Sequence, residues 1–264
     1  MTGGRARPDA AAPVAGAEAW AAGGGDVGIL ALHGFTGNPV SLRPLAEALA
    51  AAGFAVELPR LPGHGSRWQD LRGSTWRDWA GEAAAGLQRL GARSRAQVVV
   101  GLSMGGTLAL HLAQSAGRQL AGLVLVNPWI HARDRRLKLL PLLKWVLPAV
   151  AGVGNDIAKP GADERAYPKI PPRAVASALE LIEQVREEFA VVNVPTLVFT
   201  SRQDHVVDPD SSRIVLHGIA SHDKQQVWLE RSYHVATLDY DLPEIVERTA
   251  AFARRVAAAP TREI

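Results

Sequence analysis

The sequence of 264 residues contains no cysteine, which excludes disulfide bonds and metal sites built on thiolates. Its formal net charge of +3 is small for this length, and basic residues alternate with acidic ones, so we expect no binding to nucleic acid. No apolar run approaches the roughly 20 residues that a membrane-spanning helix needs. The length suits one large domain with an insertion, and the missing thiols fit a reducing compartment.

Residues 1–25 are rich in alanine, glycine and proline and follow neither the helical nor the strand period. We interpret them as a disordered tail. Arg5 and Arg7 resemble the basic start of a signal peptide. Asp9 and Glu18, however, interrupt the segment that would have to be its apolar core. The sequence therefore favours a cytoplasmic protein over an exported one.

The most informative segment is residues 101–105, Gly-Leu-Ser-Met-Gly, because it lies between an apolar strand and a helix. In such a strand-to-helix turn the central residue, Ser103, adopts a strained backbone conformation that raises its hydroxyl above the ends of the strands. The flanking glycines leave room for this sharp turn. The pattern predicts a nucleophilic serine; the structural alternative is a helix that simply begins after a glycine-rich turn.

From residue 27 onward apolar strands alternate with helices, a pattern typical of a mostly parallel sheet covered by helices on both faces. The predicted strands are 27–32, 54–58, 97–100, 122–126, 196–200 and 227–230. The predicted helices are 41–51, 75–90, 106–113 and about 243–256. In such a sheet the active site lies beyond the carboxyl ends of the strands, and this rule selects the partners of Ser103.

A serine hydroxyl is a weak nucleophile that needs a base, and the base needs an acid to fix its tautomer. His234 follows the last predicted strand after a short loop, at the edge of the sheet where Ser103 is expected. Asp204 occupies the matching place after strand 196–200, with Asp208 as the reserve candidate. The remaining histidines outside the first loop are interpreted as ordinary solvated or packed residues: His111, His131, His205, His217 and His222.

The negatively charged oxygen that forms during acyl transfer needs hydrogen-bond donors, usually two backbone N–H groups. Met104, directly after the serine at the start of the helix, is predicted to provide one of them. The loop after the first parallel strand, residues 33–37, is predicted to provide the other through the N–H of Phe35. His33 in this loop is interpreted as a hydrogen-bonding strut that shapes the loop rather than as a catalytic base.

Several segments resemble those of bacterial monoacylglycerol lipases and related small carboxylesterases: 32–37, 62–65, 101–105, 201–205 and 233–239. In the insertion, residues 152–157 and 164–168 resemble the monoacylglycerol lipases more than the esterases. The resemblance implies an α/β-hydrolase fold, with a mostly parallel sheet, helices on both faces and an inserted cap. The similarity runs from about Ile29 to Arg255 and does not cover the tail. We therefore expect three parts: the tail at 1–25, a core at 26–127 and 193–264, and a cap at 128–192.

The resemblance also assigns roles to individual residues. These are a catalytic triad of Ser103, Asp204 and His234, an oxyanion hole of Phe35 and Met104, and substrate contacts from Glu164 and Val153. The triad members occur in the chain order serine, aspartate, histidine, which is the order of α/β-hydrolases. No metal or organic cofactor is implied, and the histidine spacings suggest no metal site.

The insertion combines a basic cluster with an apolar stretch. Arg133, Arg135, Arg136 and Lys138 precede the leucine-rich residues 139–148, whose prolines and short length exclude a membrane span. Two interpretations stay open. Either exposed leucines touch a lipid surface while the cations meet anionic head groups, or the leucines pack down on the core.

The sequence therefore predicts a serine hydrolase that cleaves monoacylglycerols to free fatty acid and glycerol through an acyl-enzyme. A buried methylene contributes up to about 0.8 kcal/mol, which favours a long single acyl chain if the cap encloses an acyl tunnel. One enzymatic alternative is a broad carboxylesterase for short- to medium-chain esters; others are a carbon–carbon bond hydrolase and a perhydrolase on the same fold. The non-enzyme alternative is a membrane- or partner-binding module on an inert scaffold.

Overall fold

The computed structural model describes residues 12–132 and 147–258. The strands are β1 (Trp20–Ala22), β2 (Val27–Leu32), β3 (Ala55–Leu58), β4 (Ala96–Leu102), β5 (Leu120–Val126), β6 (Val150–Ala151), β7 (Lys169–Ile170), β8 (Thr196–Ser201) and β9 (Lys224–Leu229). The helices are α1 (Arg43–Ala51), α2 (Trp76–Gly91), α3 (Met104–Ala116), α4 (Pro172–Glu187), α5 (Asp210–Gly218) and α6 (Leu242–Ala258). Short 3₁₀ turns join several of them.

The central sheet has the strand order β1-β3-β2-β4-β5-β8-β9. Strands β2 to β5, β8 and β9 pair in parallel, because helical segments carry the chain back between them, and only β1 is antiparallel. The predicted mostly parallel sheet is thus confirmed. Parallel strands all end at the same edge, so the loops after β2, β4, β8 and β9 meet above the sheet.

Both faces of the sheet are buried. In β2, Leu30 and Leu32 join the core under α2, α3 and α4, while Ile29 and Ala31 join the core under α1 and α6. This alternation follows from the period of two along a strand, and it explains why the central strands read as continuous apolar runs. Helix α2 begins at a capping box in which Thr75 and Asp78 satisfy each other's backbone N–H groups.

The prediction of a disordered tail through residue 25 is wrong for β1. Trp20 pairs with Leu58 and Ala22 with Val56, so this segment adds an antiparallel edge strand to the sheet. Ala17 is fully buried, and the guanidinium of Arg43 lies 5.1 Å from the centre of the Trp20 ring. A three-residue strand is too short to show a period, and its stability comes from β3 rather than from its own composition.

The insertion contributes to two parts of the molecule. Strands β6 and β7 form a small antiparallel sheet above the carboxyl ends of the main strands. Helix α4 packs instead against the main core through Ala178, Leu181 and Val185. Residues 133–146, which contain the basic cluster and most of the leucine-rich stretch, lie outside the described residues, and the cap boundaries stay a prediction. Among the residues that the structure describes, no helix combines the length and the hydropathy that crossing a bilayer requires.

Candidate active site

The turn between β4 and α3 holds Ser103 in an unusual backbone conformation, with φ 56° and ψ −119°. A side chain at Gly101 would collide with the carbonyl of Gly105, and one at Gly105 would collide with the carbonyl of Leu32. A non-glycine residue at such a positive φ costs about 1–3 kcal/mol, which the surrounding structure must offset. The predicted strained elbow is therefore confirmed.

Backbone hydrogen bonds tie the elbow to the neighbouring strand. The N–H of Ser103 donates to the carbonyl of Val126 at 3.0 Å, and the carbonyl of Ser103 accepts from the N–H groups of Gly106 and Trp129. The serine is thus fixed between the ends of β4 and β5, while its side chain lines the cavity above the sheet. Met104 is the first residue of α3, as the sequence predicts.

His234 lies in the loop after β9, and its Nδ1 is 2.7 Å from Oδ2 of Asp204. The other carboxylate oxygen of Asp204 accepts the N–H groups of Val206 at 2.8 Å and Val207 at 2.7 Å. The carboxylate is therefore held with Oδ2 toward the imidazole. Because a carboxylate only accepts, the proton of the neutral ring lies on Nδ1, which leaves Nε2 as the basic nitrogen.

Burial and neighbouring charges shift the pKa of His234 in opposite directions. Burial alone lowers the pKa of the imidazole, but the Asp204 carboxylate, helped by Glu164 and Asp156, raises that pKa above its ordinary value. The side chains of His234 and Asp204 are only 9% and 2% exposed. A buried imidazole beside a buried carboxylate is suited to accept a proton and to remain stable as the imidazolium.

Asn127, at the end of β5, joins the loops that carry the acid and the base. Its Nδ2 donates to the carbonyl of His234 at 2.8 Å, and its Oδ1 accepts the N–H of Ser201 at 2.7 Å. Its φ is 45°, a conformation that asparagine tolerates better than most residues. The sequence analysis missed Asn127, for which the only signal is its place directly after a predicted strand.

His33 shapes the loop that approaches the serine. Its Nε2 accepts the N–H of Leu61 at 3.2 Å, so its Nδ1 carries the proton and donates to the carbonyl of Gly34 at 3.0 Å. Burial lowers the pKa of His33 to about 4, which keeps the ring neutral. The prediction of a strut is thus confirmed. A Cβ on Gly34 would lie 3.3 Å from Cβ of Ser103, so the loop that carries Phe35 lies directly against the serine.

Ser103, Asp204 and His234 line one cavity of about 510 Å³. The apolar side chains that line it include Phe35, Trp129, Ile170, Val175 and Val207. The polar side chains that line it include Asp156, Glu164, His205 and Asp208. The structure thus pairs the predicted acid with the predicted base and places the predicted serine in the lining of the same cavity. The carboxylate of the reserve candidate, Asp208, accepts instead the N–H of Asp210 at the start of α5.

The two predicted substrate contacts also line the cavity. Glu164 is buried, and burial raises its pKa. One of its oxygens accepts the N–H of Asn155 at 2.7 Å, and its carbonyl accepts from the Asn38 side chain at 3.1 Å. Val153 is 60% exposed at the rim. Glu164 is therefore held in a fixed place, whereas Val153 lies where a ligand would enter.

Two cavity residues had no assigned role in the sequence. His205 and His131, interpreted as ordinary histidines, both line the cavity, and the ring of His205 pairs with Asp156 at 2.8 Å. Asp156 lies in a segment that was noted only for its resemblance, because a single acidic residue in a loop shows no period. Within 12–132 and 147–258, no group of three or more His, Asp or Glu side chains is arranged to hold a metal ion.

Comparisons with known proteins identify the family of this chain. The family described as serine aminopeptidase, S33, matches residues 26–241. The chain is 41% identical to a thermostable monoacylglycerol lipase of Bacillus sp. (strain H-257), covering 90% of this chain and 95% of that protein. It is 28% identical to a carboxylesterase of Bacillus subtilis (strain 168), over 82% of this chain and 87% of the relative.

A similar solved structure comes from work on LipS and LipT, two metagenome-derived lipolytic enzymes. It has a TM-score of 0.90 at 37% identity and covers 92% of this chain and 100% of that chain. The chain therefore belongs to the family described as serine aminopeptidase, S33, within the α/β-hydrolase superfamily.

Proposed function

We propose that this protein hydrolyses monoacylglycerols to a free fatty acid and glycerol, with Ser103 as the nucleophile. The observation that carries the proposal is the paired, buried His234 and Asp204 facing the same cavity as the strained Ser103. The substrate class is supported by the 41% identity to a protein named thermostable monoacylglycerol lipase. A cavity lined by both apolar and polar side chains suits an ester that joins a fatty acyl chain to glycerol.

The reaction proceeds by two acyl transfers. Nε2 of His234 takes the proton of Ser103 as Oγ attacks the ester carbonyl, and Asp204 stabilises the resulting imidazolium. The tetrahedral intermediate collapses, glycerol leaves with the proton from His234, and the acyl group remains on Ser103. Water, deprotonated by His234, then attacks the acyl-enzyme and releases the fatty acid, which restores the serine.

The oxyanion of each tetrahedral intermediate is assigned to the backbone N–H groups of Met104 and Phe35. Met104 begins α3, where N–H groups are free to bind an anion. The loop of Phe35 lies against Ser103 because Gly34 has no side chain and His33 holds its carbonyl. Such preorganised donors contribute about 3 kcal/mol each to transition-state stabilisation in comparable enzymes.

The glycerol end is assigned to Glu164 as a hydrogen-bond acceptor, with Val153 beside the entrance. The acyl chain is assigned to the apolar side chains that line the cavity. At about 0.8 kcal/mol per buried methylene, each added carbon improves binding until the cavity is full. The ratio kcat/KM is therefore expected to rise with acyl length and then level off.

The test is a length series of 1-monoacylglycerols from acetate to stearate esters, with release of fatty acid measured for the unmodified protein and for Ser103→Ala. The proposal expects a rise with chain length and a loss of several orders of magnitude in Ser103→Ala, as for other triad nucleophiles. Flat activity across the series would favour the broad carboxylesterase. Cleavage of a diketone without any cleavage of esters would favour the carbon–carbon bond hydrolase.

The cap is proposed to touch a lipid surface peripherally, in a protein of the cytoplasm. Leu147, Val150 and Val153 are exposed apolar residues of the insertion, and Val153 also lines the cavity. The basic residues 133–138 precede them in the chain and would meet anionic head groups. Co-sedimentation with vesicles of anionic and of zwitterionic lipid tests this, and equal absence from both pellets would contradict it.

A further inference from the structure

A short segment of the insertion, residues 155–159, is bonded directly to the loops that carry the acid and the base. The carbonyl of Asp156 accepts the N–H of Val235 at 3.1 Å. Two aspartate side chains accept further hydrogen bonds between this segment and the loops: Asp156 from the insertion and Asp239 from the core. We refer to these two side chains as the aspartate clasp.

Asp156 contacts both catalytic loops at once. Its Oδ2 accepts the N–H of His234 at 3.1 Å and the N–H of His205 at 3.1 Å. Its Oδ1 pairs with Nδ1 of His205 at 2.8 Å. His205 directly follows Asp204, so a single carboxylate fixes the spacing between the two loops whose side chains must meet.

Asp239 makes the reciprocal connection from the core to the insertion. Its Oδ2 accepts the N–H groups of Ala158 at 2.7 Å and Tyr233 at 3.0 Å, and its Oδ1 accepts the N–H of Lys159 at 3.0 Å. The side chain is almost fully buried. Hydrogen bonds from backbone N–H groups to a buried carboxylate are strong, so neither segment can move without breaking several of them.

We propose that the aspartate clasp positions His234 for catalysis, so that the 155–159 segment of the insertion is part of the catalytic framework and not only a cover over the substrate. This rests on the proposed function, since it assigns His234 as the base. Asp156 and Asp239 are positioning residues, because they act on His234 through its backbone and its neighbours.

Asp156 has a second effect that a purely structural residue would lack. The charged groups around the His234 imidazole are Asp204 on the β8 loop and Asp156 and Glu164 on the insertion, and all three raise its pKa. The ring of His205 also lies nearby, paired with Asp156. Removing the charge of Asp156 should therefore lower the pKa of His234. Asp239 is not among these charges, so removing the charge of Asp239 should leave the pKa of His234 unchanged.

The test compares Asp156→Asn and Asp239→Asn with the unmodified protein and with Asp26→Asn, which changes an exposed carboxylate that pairs with Arg95 at the surface. The rate of Ser103 labelling by a fluorophosphonate is measured against pH, and the His234 ring is titrated by NMR. We expect both clasp variants to label about 10- to 100-fold more slowly, the scale of a misplaced catalytic group. In Asp156→Asn alone, the acid limb of the profile and the His234 titration move to lower pH. Asp26→Asn labels like the unmodified protein.

Labelling of both clasp variants at the unmodified rate would overturn the proposal, as would an unshifted His234 titration in Asp156→Asn. Failure of the unmodified protein to label at Ser103 would instead overturn the proposed function. If one variant does not fold, the labelling rate of the other variant tests the proposal. If neither folds, hydrogen exchange of the backbone amides is measured in the unmodified protein. The proposal then predicts that the amides of His234, Val235, Ala158 and Lys159 exchange through one shared opening, and independent exchange would contradict it.

Discussion

Replacing Asp204 with asparagine tests the assigned base through its tautomer. Oδ1 of Asp204 already accepts two backbone N–H groups, from Val206 and Val207. The amide oxygen of an asparagine must take that place, because its NH₂ group cannot accept. The NH₂ group then faces Nδ1 of His234 and donates to it, which moves the ring proton to Nε2.

An imidazole with its proton on Nε2 cannot take the proton of Ser103. The same substitution in a serine protease triad lowers kcat about 10⁴-fold, and we expect a loss of that order here. At about 1.36 kcal/mol per tenfold, this corresponds to about 5 kcal/mol of lost transition-state stabilisation. Because the two side chains have nearly the same shape, the fold should be kept.

The assay is kcat for a 1-monoacylglycerol in the plateau of the pH profile, with the unfolding midpoint as a check on the fold. Asp208→Asn, in the reserve candidate, is the matched comparison and should lose less than about tenfold, because Asp208 is bonded to the start of α5. A folded Asp204→Asn that keeps more than about a tenth of the activity would refute the assignment. So would a larger loss in Asp208→Asn.

Three further predictions concern the loop that carries Phe35, the role of Glu164 and the stability of the fold. Gly34→Pro should lower kcat about 10²- to 10³-fold in a folded variant, as loss of one oxyanion donor does, with KM little changed. Glu164→Gln should reduce kcat/KM for monoacylglycerols more than for a simple alkyl ester of the same acid, and equal losses would exclude glycerol contact. His33, with a pKa of about 4, is neutral when folded and takes up a proton on unfolding, so its contribution to the free energy of unfolding should fall by about 3 kcal/mol as the pH drops from 6.5 to 4. Urea titrations of the unmodified protein and of His33→Asn check this, and an equally steep loss of stability in both would contradict the burial of the neutral His33 ring.

The core strands were predictable because a strand buried on both faces appears in the sequence as a continuous apolar run. Val27–Leu32 has the bounds that its apolar run predicts, and the other central strands differ by a few residues at their ends. Helix α1 begins at Arg43 rather than at residue 41, because a 3₁₀ turn at Pro39–Ser41 takes the first positions. The edge strand Trp20–Ala22 was missed because its stability comes from pairing with β3.

The candidate site was predictable where chain order and strand ends determine position. Ser103, Asp204 and His234 follow β4, β8 and β9, and a parallel sheet brings those ends together. Asp156 and Asn127 were not predictable in the same way. Their importance depends on which backbone N–H groups and carbonyls the folded loops present to them, and no spacing in the sequence encodes those contacts.

The most direct test of the central claim is to identify the residue that a fluorophosphonate modifies. The unmodified protein is labelled at neutral pH, digested and mapped by mass spectrometry. The account predicts one adduct, on Ser103, whose formation is at least about 10³-fold slower in His234→Ala, since the serine then lacks its base. Labelling at another residue, or labelling of Ser103 at an undiminished rate without His234, would contradict it.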